Sequence, residues 1–313
     1  MNKKTEKVKE LYEAFPYPNF KNKLKAHYLD LDIISKRFKG KSIKYLDVGC
    51  GTGNGTIGMA VRNPSWDVHG IDLSNESIKI ARSNAKKFHS KVSFTSNNIL
   101  ENNNFDFRFD LITSFGTIHH CTDPKKAICN MGDLLKKDGL MVIHLYGKEQ
   151  DRIKFDIREV IDLFNEDLKD YENRFRIYLE VNKYFKNGIM DLSLNDLIKI
   201  LRSNIKKIKY RINKIQPVPK WSKKYNRPDN IWIDHFCHPC EHTFDIKDVQ
   251  ELFNSTGLKV INMLNLSDDS IIPSNLKVQY EKLDQWKKWR IKELLMKSKK
   301  SILLIAEKQD KYE

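Results

Sequence analysis

The chain has 313 residues, of which 40% are hydrophobic and 31% charged, the balance of a soluble globular protein. No stretch approaches the ~18 apolar residues of a membrane span, and the start, MNKKTEKVKELYEAF, lacks the apolar core of a signal peptide. Five cysteines, an odd number in a long chain, do not read as a disulfide framework, so a cytoplasmic protein with reduced thiols is expected. The formal charge of +15 is of the kind that attracts nucleic acid, anionic lipid or acidic proteins; a Lys-, Asn- and Ile-rich composition from an A/T-rich genome would also produce it.

In chain order, residues 5–15 predict a short helix, ended by Pro16 and Pro18 of FPYPNF. Leu29, Ile33, Ile34 and Phe38 have helical spacing over 26–39, and Gly40 stops that helix. SIKYLDV then reads as a buried strand running into GCGTGNGTIG. WDVHGIDL predicts a second strand and 75–88 a helix; KVSFTS is a third strand and FDLITSF a fourth. DPKKAICNMGDLLKK predicts a helix closed by Gly139, and LMVIHLY a fifth strand. Strands alternating with helices in this way imply a parallel sheet built from right-handed crossovers. After about residue 150 the alternation fails, and 151 to about 230 read as helices and loops punctuated by Gly188, Pro217, Pro219 and Pro228. It returns with a helix at 245–256 ended by Gly257, a strand LKVINML, a basic helix at 281–297 and a last strand SILLIAE.

The first strand ends at Asp47-Val48 and opens onto Gly49-Cys50-Gly51-Thr52-Gly53. Glycines let backbone turn sharply and approach a ligand closely, and the helix beyond offers free N–H groups and a positive dipole end. In open α/β sheets, ligands bind beyond the carboxyl ends of the strands. A dinucleotide G-x-G-x-x-G fits only Gly53, Gly55 and Gly58, too far from the strand, and a Gly-Lys-Ser/Thr phosphate loop is missing. What fits is an acidic strand end followed by three alternating glycines.

DVGCGTG resembles the first motif of class I S-adenosylmethionine (SAM)-dependent methyltransferases. The rest of the core follows in order. Asp72, in GIDLS, matches the acidic residue that in that family binds the ribose hydroxyls; a carboxylate can accept both hydrogen bonds of a vicinal diol. Asn98-Ile99 matches a site usually reading Asp-Ala or Asp-Ile, whose side chain meets the adenine amino group. Asn departs from Asp, but its carbonyl oxygen can still accept from an amine. SFGTIHHCTDP resembles the family's fourth-strand segment, and DLLKKDGLMVIHLY its helix-to-strand passage. LYEAFPYPNF resembles the opening of a bacterial subgroup with a Y-x-x-x-P-Y-P start and a later D-x-F-x-H-P segment, here Asp234, Phe236, His238 and Pro239. The resemblance implies an N-terminal helix that lids the cofactor, with Tyr12, and less so Tyr17, at its methionine end; packing of a surface helix is the plainer reading of both rings.

Three further features bear on the acceptor. His119 and His120 follow the fourth strand at the ligand-binding edge, where a neutral imidazole could take a proton or only shape the pocket floor. His235, Cys237, His238, Cys240 and His242 have the ligand types of a zinc site. Their spacing is not that of a zinc finger, and alternate side chains of an extended segment point apart, so no metal is assigned; Asp234 and His238 are instead read as lining the acceptor pocket. Residues 197–228 hold eleven Lys or Arg and no Asp or Glu. Arg202, Lys206 and Lys209 can share a helix face, either for an anionic partner or RNA, or simply for solvent.

The expected fold is therefore α/β, Rossmann-like: a mostly parallel seven-stranded sheet with helices on both faces and a helical insertion. The expected divisions are a lid (1–40), a SAM-binding core (41–150), a basic insertion on the acceptor side (151–235) and a return to the core (236–313). Cofactor contacts are expected from Tyr12, Asp47, Gly49, Gly51, Gly53, Asp72, Asn98 and Ile99, and acceptor chemistry from His119, Asp234 and His238. Methyl transfer to an O, N or C atom of a small or medium-sized molecule is the leading reading. Modification of RNA or protein through the basic insertion, and a non-catalytic SAM- or nucleotide-binding module, are the alternatives.

Overall fold

The computed structural model describes residues 1–18, 24, 32–101, 105–189, 230–296 and 301–309. The chain forms two compact units, residues 1–151 with 239–313, and residues 152–238.

The first unit is built on a seven-stranded sheet in the order β3-β2-β1-β4-β5-β7-β6. Its strands are β1 (Lys44–Val48), β2 (Asp67–Asp72), β3 (Val92–Ser96), β4 (Phe109–Phe115), β5 (Leu135–Leu145), β6 (Leu258–Met263) and β7 (Ile302–Lys308). β1 to β5 run parallel; β7 is antiparallel to both of its neighbours. The helices are α1 (Lys3–Ala14), α2 (Asp32–Phe38), α3 (Asn54–Arg62), α4 (Asn75–Lys87) and α5 (Pro124–Leu134), then α6 (Lys148–Phe164), which runs on into the second unit. The second unit adds α7 (Tyr171–Ile189) and α8 (Asn230–Phe236); α9 (Ile246–Phe253), α10 (Lys277–Glu281) and α11 (Gln285–Leu295) belong to the first. This is the mostly parallel, doubly covered α/β sheet expected.

The two-residue period of a strand divides the core. Leu46, Ile112, Met141, Ile143 and Leu304 face a layer that includes Ile128 and Met131 of α5 and Val249 and Phe253 of α9. Their neighbours Tyr45, Leu111, Leu140, Val142 and Ile305 face Ile34 and Phe38 of α2, Met59 of α3 and Trp66. Burial on both faces explains why these strands read as continuous apolar runs. β1 lies between β2 and β4, so successive crossovers lead away from it in opposite directions, and a crevice opens at its carboxyl end.

Two boundaries differ from expectation. The helix after Asp123 ends at Leu134 rather than running to Gly139, because Leu135 is already extended and pairs with Phe109; a bulge then resets the register to Leu111–Leu140. The basic helix expected over 281–297 starts later, at Gln285, because α10 has just ended at Glu281. Asp284 accepts from Lys287 N at 3.0 Å and starts α11 afresh.

The second unit holds a ring cluster in which Phe175 meets Trp232 edge-on at 4.9 Å and Tyr178 lies 4.8 Å from Phe236. The fully buried Arg174 donates to Phe236 O at 2.6 Å, to Asn165 O and to Asp162. Arg158 donates to His238 O. Two guanidiniums thus satisfy carbonyls at the end of α8, where a helix leaves its last acceptors open. Arg202, Lys206 and Lys209 lie outside the described residues.

Candidate active site

The site is assembled on the carboxyl edge of β1, β2 and β4. Asp47 lies beneath the glycine loop, 6% exposed. Its Oδ2 accepts from Thr56 Oγ1 at 2.6 Å and its Oδ1 from Thr113 Oγ1 at 3.1 Å; Thr113 Oγ1 also meets Tyr45 OH at 2.6 Å. Burial pushes the Asp47 carboxyl up to about 6, against the two hydroxyl bonds. Asp47 thus braces the loop from below, tying β1 to α3 and β4.

The loop above it runs through two glycines that nothing larger could replace. An added Cβ on Gly49 would fall 1.8 Å from Thr117 Oγ1, and one on Gly51 (φ +52°) would fall 2.2 Å from Tyr17 O. Gly53 then serves as the N-cap of α3. At the end of β2, Asp72 accepts from Gly51 N through Oδ2 and from Ser74 N through Oδ1, both at 2.9 Å. Burial raises its carboxyl to about 6, opposed by those two N–H bonds. Each carboxylate oxygen has a second lone pair, so both keep acceptor capacity for a diol. Asn98 is held by its own turn, with Leu100 N donating to its Oδ1 at 3.0 Å, and Ile99 is buried beside it. A glycine loop packed too tightly for side chains, next to a half-buried carboxylate with spare acceptor capacity at the neighbouring strand end, fits an adenosyl cofactor. Gly49, Gly51 and Asp72 would hold it, with Asn98 and Ile99 at the end of β3.

The N-terminal residues lie on this edge. Tyr12 is half-buried, and its carbonyl accepts from Ser74 Oγ at 3.2 Å. Thr52 Oγ1 donates to Pro18 O at 2.6 Å, which places the FPYP segment on the glycine loop.

On the β4–β5 side the groups are rings. His119 is fully buried and stacks on Tyr146 at 3.7 Å, with His120 4.4 Å away edge-on. Phe115 and His144, register partners in the sheet, lie parallel at 6.1 Å. Burial lowers the His144 pKa, which keeps that imidazole neutral at physiological pH. The segment 240–244 is tied to this side by His242 N to His119 O at 2.8 Å and by His120 Nδ1 against Cys240 O at 3.1 Å. Asp234 and His238 are both buried and belong to the second unit. Within the first unit, the fold therefore brings Asp47, the three glycines, Asp72, Asn98, Ile99, Tyr12 and His119 to one sheet edge.

Several residues at this edge carry no local signal in the sequence. Thr56 and Thr113 are ordinary helix and strand positions until their partner, Asp47, is known. Thr117 is singled out only by its approach to Gly49. Tyr146 closes an apolar strand pattern, and its stacking on His119 depends on the register of β4 against β5.

Comparisons with known proteins agree with this geometry. A family model described as a methyltransferase domain matches residues 39–257. The ubiquinone biosynthesis O-methyltransferase of Pelagibacter ubique is 32% identical over 162 residues, covering 47% of this chain and 65% of that enzyme. The release factor glutamine methyltransferase of Flavobacterium psychrophilum is 26% identical over 152 residues, 49% of this chain and 50% of the enzyme. In fold, the chain is similar to PKMT2 from Rickettsia typhi in complex with AdoHcy, with a TM-score of 0.64, 16% identity, and coverage of 94% of this chain and 55% of that one. The chain thus spans about half to two thirds of the length of these proteins. With a family match over more than half its length, this chain belongs to the methyltransferase-domain family.

Proposed function

We propose that the protein methylates an O, N or C atom of a small or medium-sized acceptor, and that residues 1–18 cover the cofactor while it does so. The observation that carries this reading is the contrast between the two sides of the carboxyl edge. The β1–β2 side offers a glycine cradle and a carboxylate; the β4–β5 side offers the stacked rings of His119 and Tyr146 and a neutral His144. Rings and an uncharged imidazole suit a planar or partly apolar molecule better than the phosphates of RNA, which call for cations.

The bound cofactor supplies a methyl group already activated by the positive charge on its sulfur. The protein's part is to align two reactants and exclude water, which can contribute roughly 7–11 kcal/mol. Asp72 would hold the ribose hydroxyls, Gly49 and Gly51 would let backbone approach the methionine end, and Asn98 and Ile99 would border the adenine. Asp47 acts through the loop it braces. Tyr12, on the covering helix, would sit at the methionine end. His119, Asp234 and His238 are proposed to orient the acceptor or take its proton. The Y-x-x-x-P-Y-P and D-x-F-x-H-P segments support placing the chain in the bacterial subgroup they resemble. No helix among the described residues is long and apolar enough to cross a membrane, and we place the activity in the cytoplasm.

The test is to incubate the protein with methyl-labelled SAM and fractionated cell extract, with nuclease and protease controls. Label in a small-molecule fraction that survives both treatments is the expected result. Label lost to nuclease would transfer the assignment to RNA and to the basic stretch containing Arg202, Lys206 and Lys209. Label lost to protease would make the acceptor a protein.

A further inference from the structure

α1 is fastened to the core at both ends. Near its start, Asn2 Nδ2 donates to Thr122 Oγ1 at 3.2 Å, and Thr5 Oγ1 meets the same hydroxyl at 3.0 Å. Thr122 follows directly on the His119–Cys121 segment. At its other end, Glu13 reaches the start of α4, where its Oε1 accepts from Asn75 N at 2.8 Å and its Oε2 from Glu76 N at 3.0 Å. Ser74 Oγ accepts from Ser77 N at 3.1 Å and hydrogen-bonds Tyr12 O at 3.2 Å. The first three N–H groups of α4 are thus all satisfied, two of them by a carboxylate 62 and 63 positions away. A helix start leaves such donors open and carries a positive dipole end, so a carboxylate is well placed there.

The same junction leads to the cofactor carboxylate. Ser74 N donates to Asp72 Oδ1, and Asp72 Oδ2 accepts from Gly51 N. Beyond Glu13, the backbone carries Tyr17 O onto Gly51 and Pro18 O onto Thr52.

We infer that Glu13 is a positioning residue, a latch that holds α1 and the segment after it closed over the glycine loop and so sets how long the cofactor stays bound, without touching it. This rests on the reading of residues 1–18 as a cover. When the cover lifts, Asn75 N and Glu76 N pass to water at little cost, so the latch acts on closure and not on the folding of the sheet. Glu13→Ala removes both bonds and the charge at the α4 start; Glu13→Gln keeps one acceptor and loses the charge.

The test pairs dissociation of S-adenosylhomocysteine, followed by stopped flow, with amide hydrogen exchange of the cofactor-free protein. Glu13→Ala is expected to speed dissociation about tenfold, equivalent to about 1.4 kcal/mol, with Glu13→Gln between it and the native protein. In the cofactor-free protein, residues 3–14 should lose protection while β1 and β4 keep theirs. Unchanged dissociation and unchanged protection in both variants would overturn the latch. Loss of protection spreading to β1 and β4 would also overturn it, by making Glu13 part of the core's stability. The exchange experiment needs no ligand, so failure of the native protein to bind S-adenosylhomocysteine would count against the cover while leaving the fastening itself separately measured.

Discussion

The two sides of the sheet's carboxyl edge are built from different materials. On the β1–β2 side two carboxylates fix the loop by directional bonds: Asp47 accepts from Thr56 and from Thr113 of β4, and Asp72 accepts from Gly51 and Ser74. On the β4–β5 side the groups are placed by ring stacking, His119 on Tyr146 and Phe115 against His144. Hydrogen bonds to an ionised group fix distance and angle, whereas stacked rings fix a plane and tolerate sliding within it. A cofactor common to many enzymes needs the first kind of support, and an acceptor that differs from one enzyme to the next is served by the second. Changes on the two sides should therefore separate cofactor affinity from turnover.

The largest effect is expected from Gly51→Val. The position has φ +52° and would put a Cβ 2.2 Å from Tyr17 O. A left-handed β-branched residue costs roughly 1–2 kcal/mol before any clash, and the side chain would push Tyr17 and Pro18 off the glycine loop and distort it. Calorimetry should find no binding of S-adenosylhomocysteine; native-like affinity would remove the glycine loop from the site.

Asp72→Ala should come next, weakening S-adenosylhomocysteine binding by roughly 1.5–3 kcal/mol if a charged hydrogen bond to the ribose is lost. Asp47→Ala sharpens the contrast within the same side. It leaves Thr56 and Thr113 without their buried acceptor and should lower the stability of the fold by roughly 1–3 kcal/mol, measured by urea unfolding. Equal effects of the two changes on unfolding would mean that Asp72, like Asp47, is only a brace.

Acidity gives a graded version of this test. Burial raises Asp72 to about 6, and a diol is best held by the ionised form, so affinity should fall as pH drops through about 6, by up to about tenfold per unit below it. Fold stability runs the other way. Asp47 and Asp72 both titrate above the 3.8 of the unfolded chain, so the native state holds protons that the unfolded state releases. Their contribution to stability is complete below about 4 and is lost as pH rises through about 6. Calorimetric titration between pH 5 and pH 8 at constant salt should show affinity rising with pH; a flat profile would separate Asp72 from the ligand.

The smallest effect on binding is expected from Tyr146→Leu, which removes the ring under His119. Affinity for S-adenosylhomocysteine should stay within about twofold, while turnover on the identified acceptor falls by about tenfold, the loss of one aromatic contact worth about 0.5–1.5 kcal/mol. A parallel loss of cofactor affinity would show that the two sides are not independent.

What the sequence made legible follows the same division. Strands β1, β4 and β5 stand out because burial on both faces makes them short apolar runs, and Gly49, Gly51 and Asp72 are legible because glycine and an acidic strand end are local signals. The end of α5 at Leu134 was not legible, since Lys136, Lys137 and Asp138 look helical until Leu135 pairs with Phe109 across the sheet. Glu13 was invisible for a stronger reason: it caps a helix start more than sixty positions away, and capping is readable in sequence only when cap and helix are adjacent. The His119–Tyr146 stack likewise depends on the pairing of two strands, a tertiary fact.

One feature of the sheet governs how the protein is made. β7, residues 302–308, is translated after β6, yet it lies between β5 and β6. Until it leaves the ribosome, the outer edge of β5 and the inner edge of β6 have no partner in the finished arrangement, and open edges recruit foreign strands. The nascent chain therefore passes through a stage in which the glycine loop and Asp72 have been synthesised on a sheet still missing an interior strand. Premature termination before residue 302 would yield a product with two adhesive edges, a substrate for chaperones and proteases.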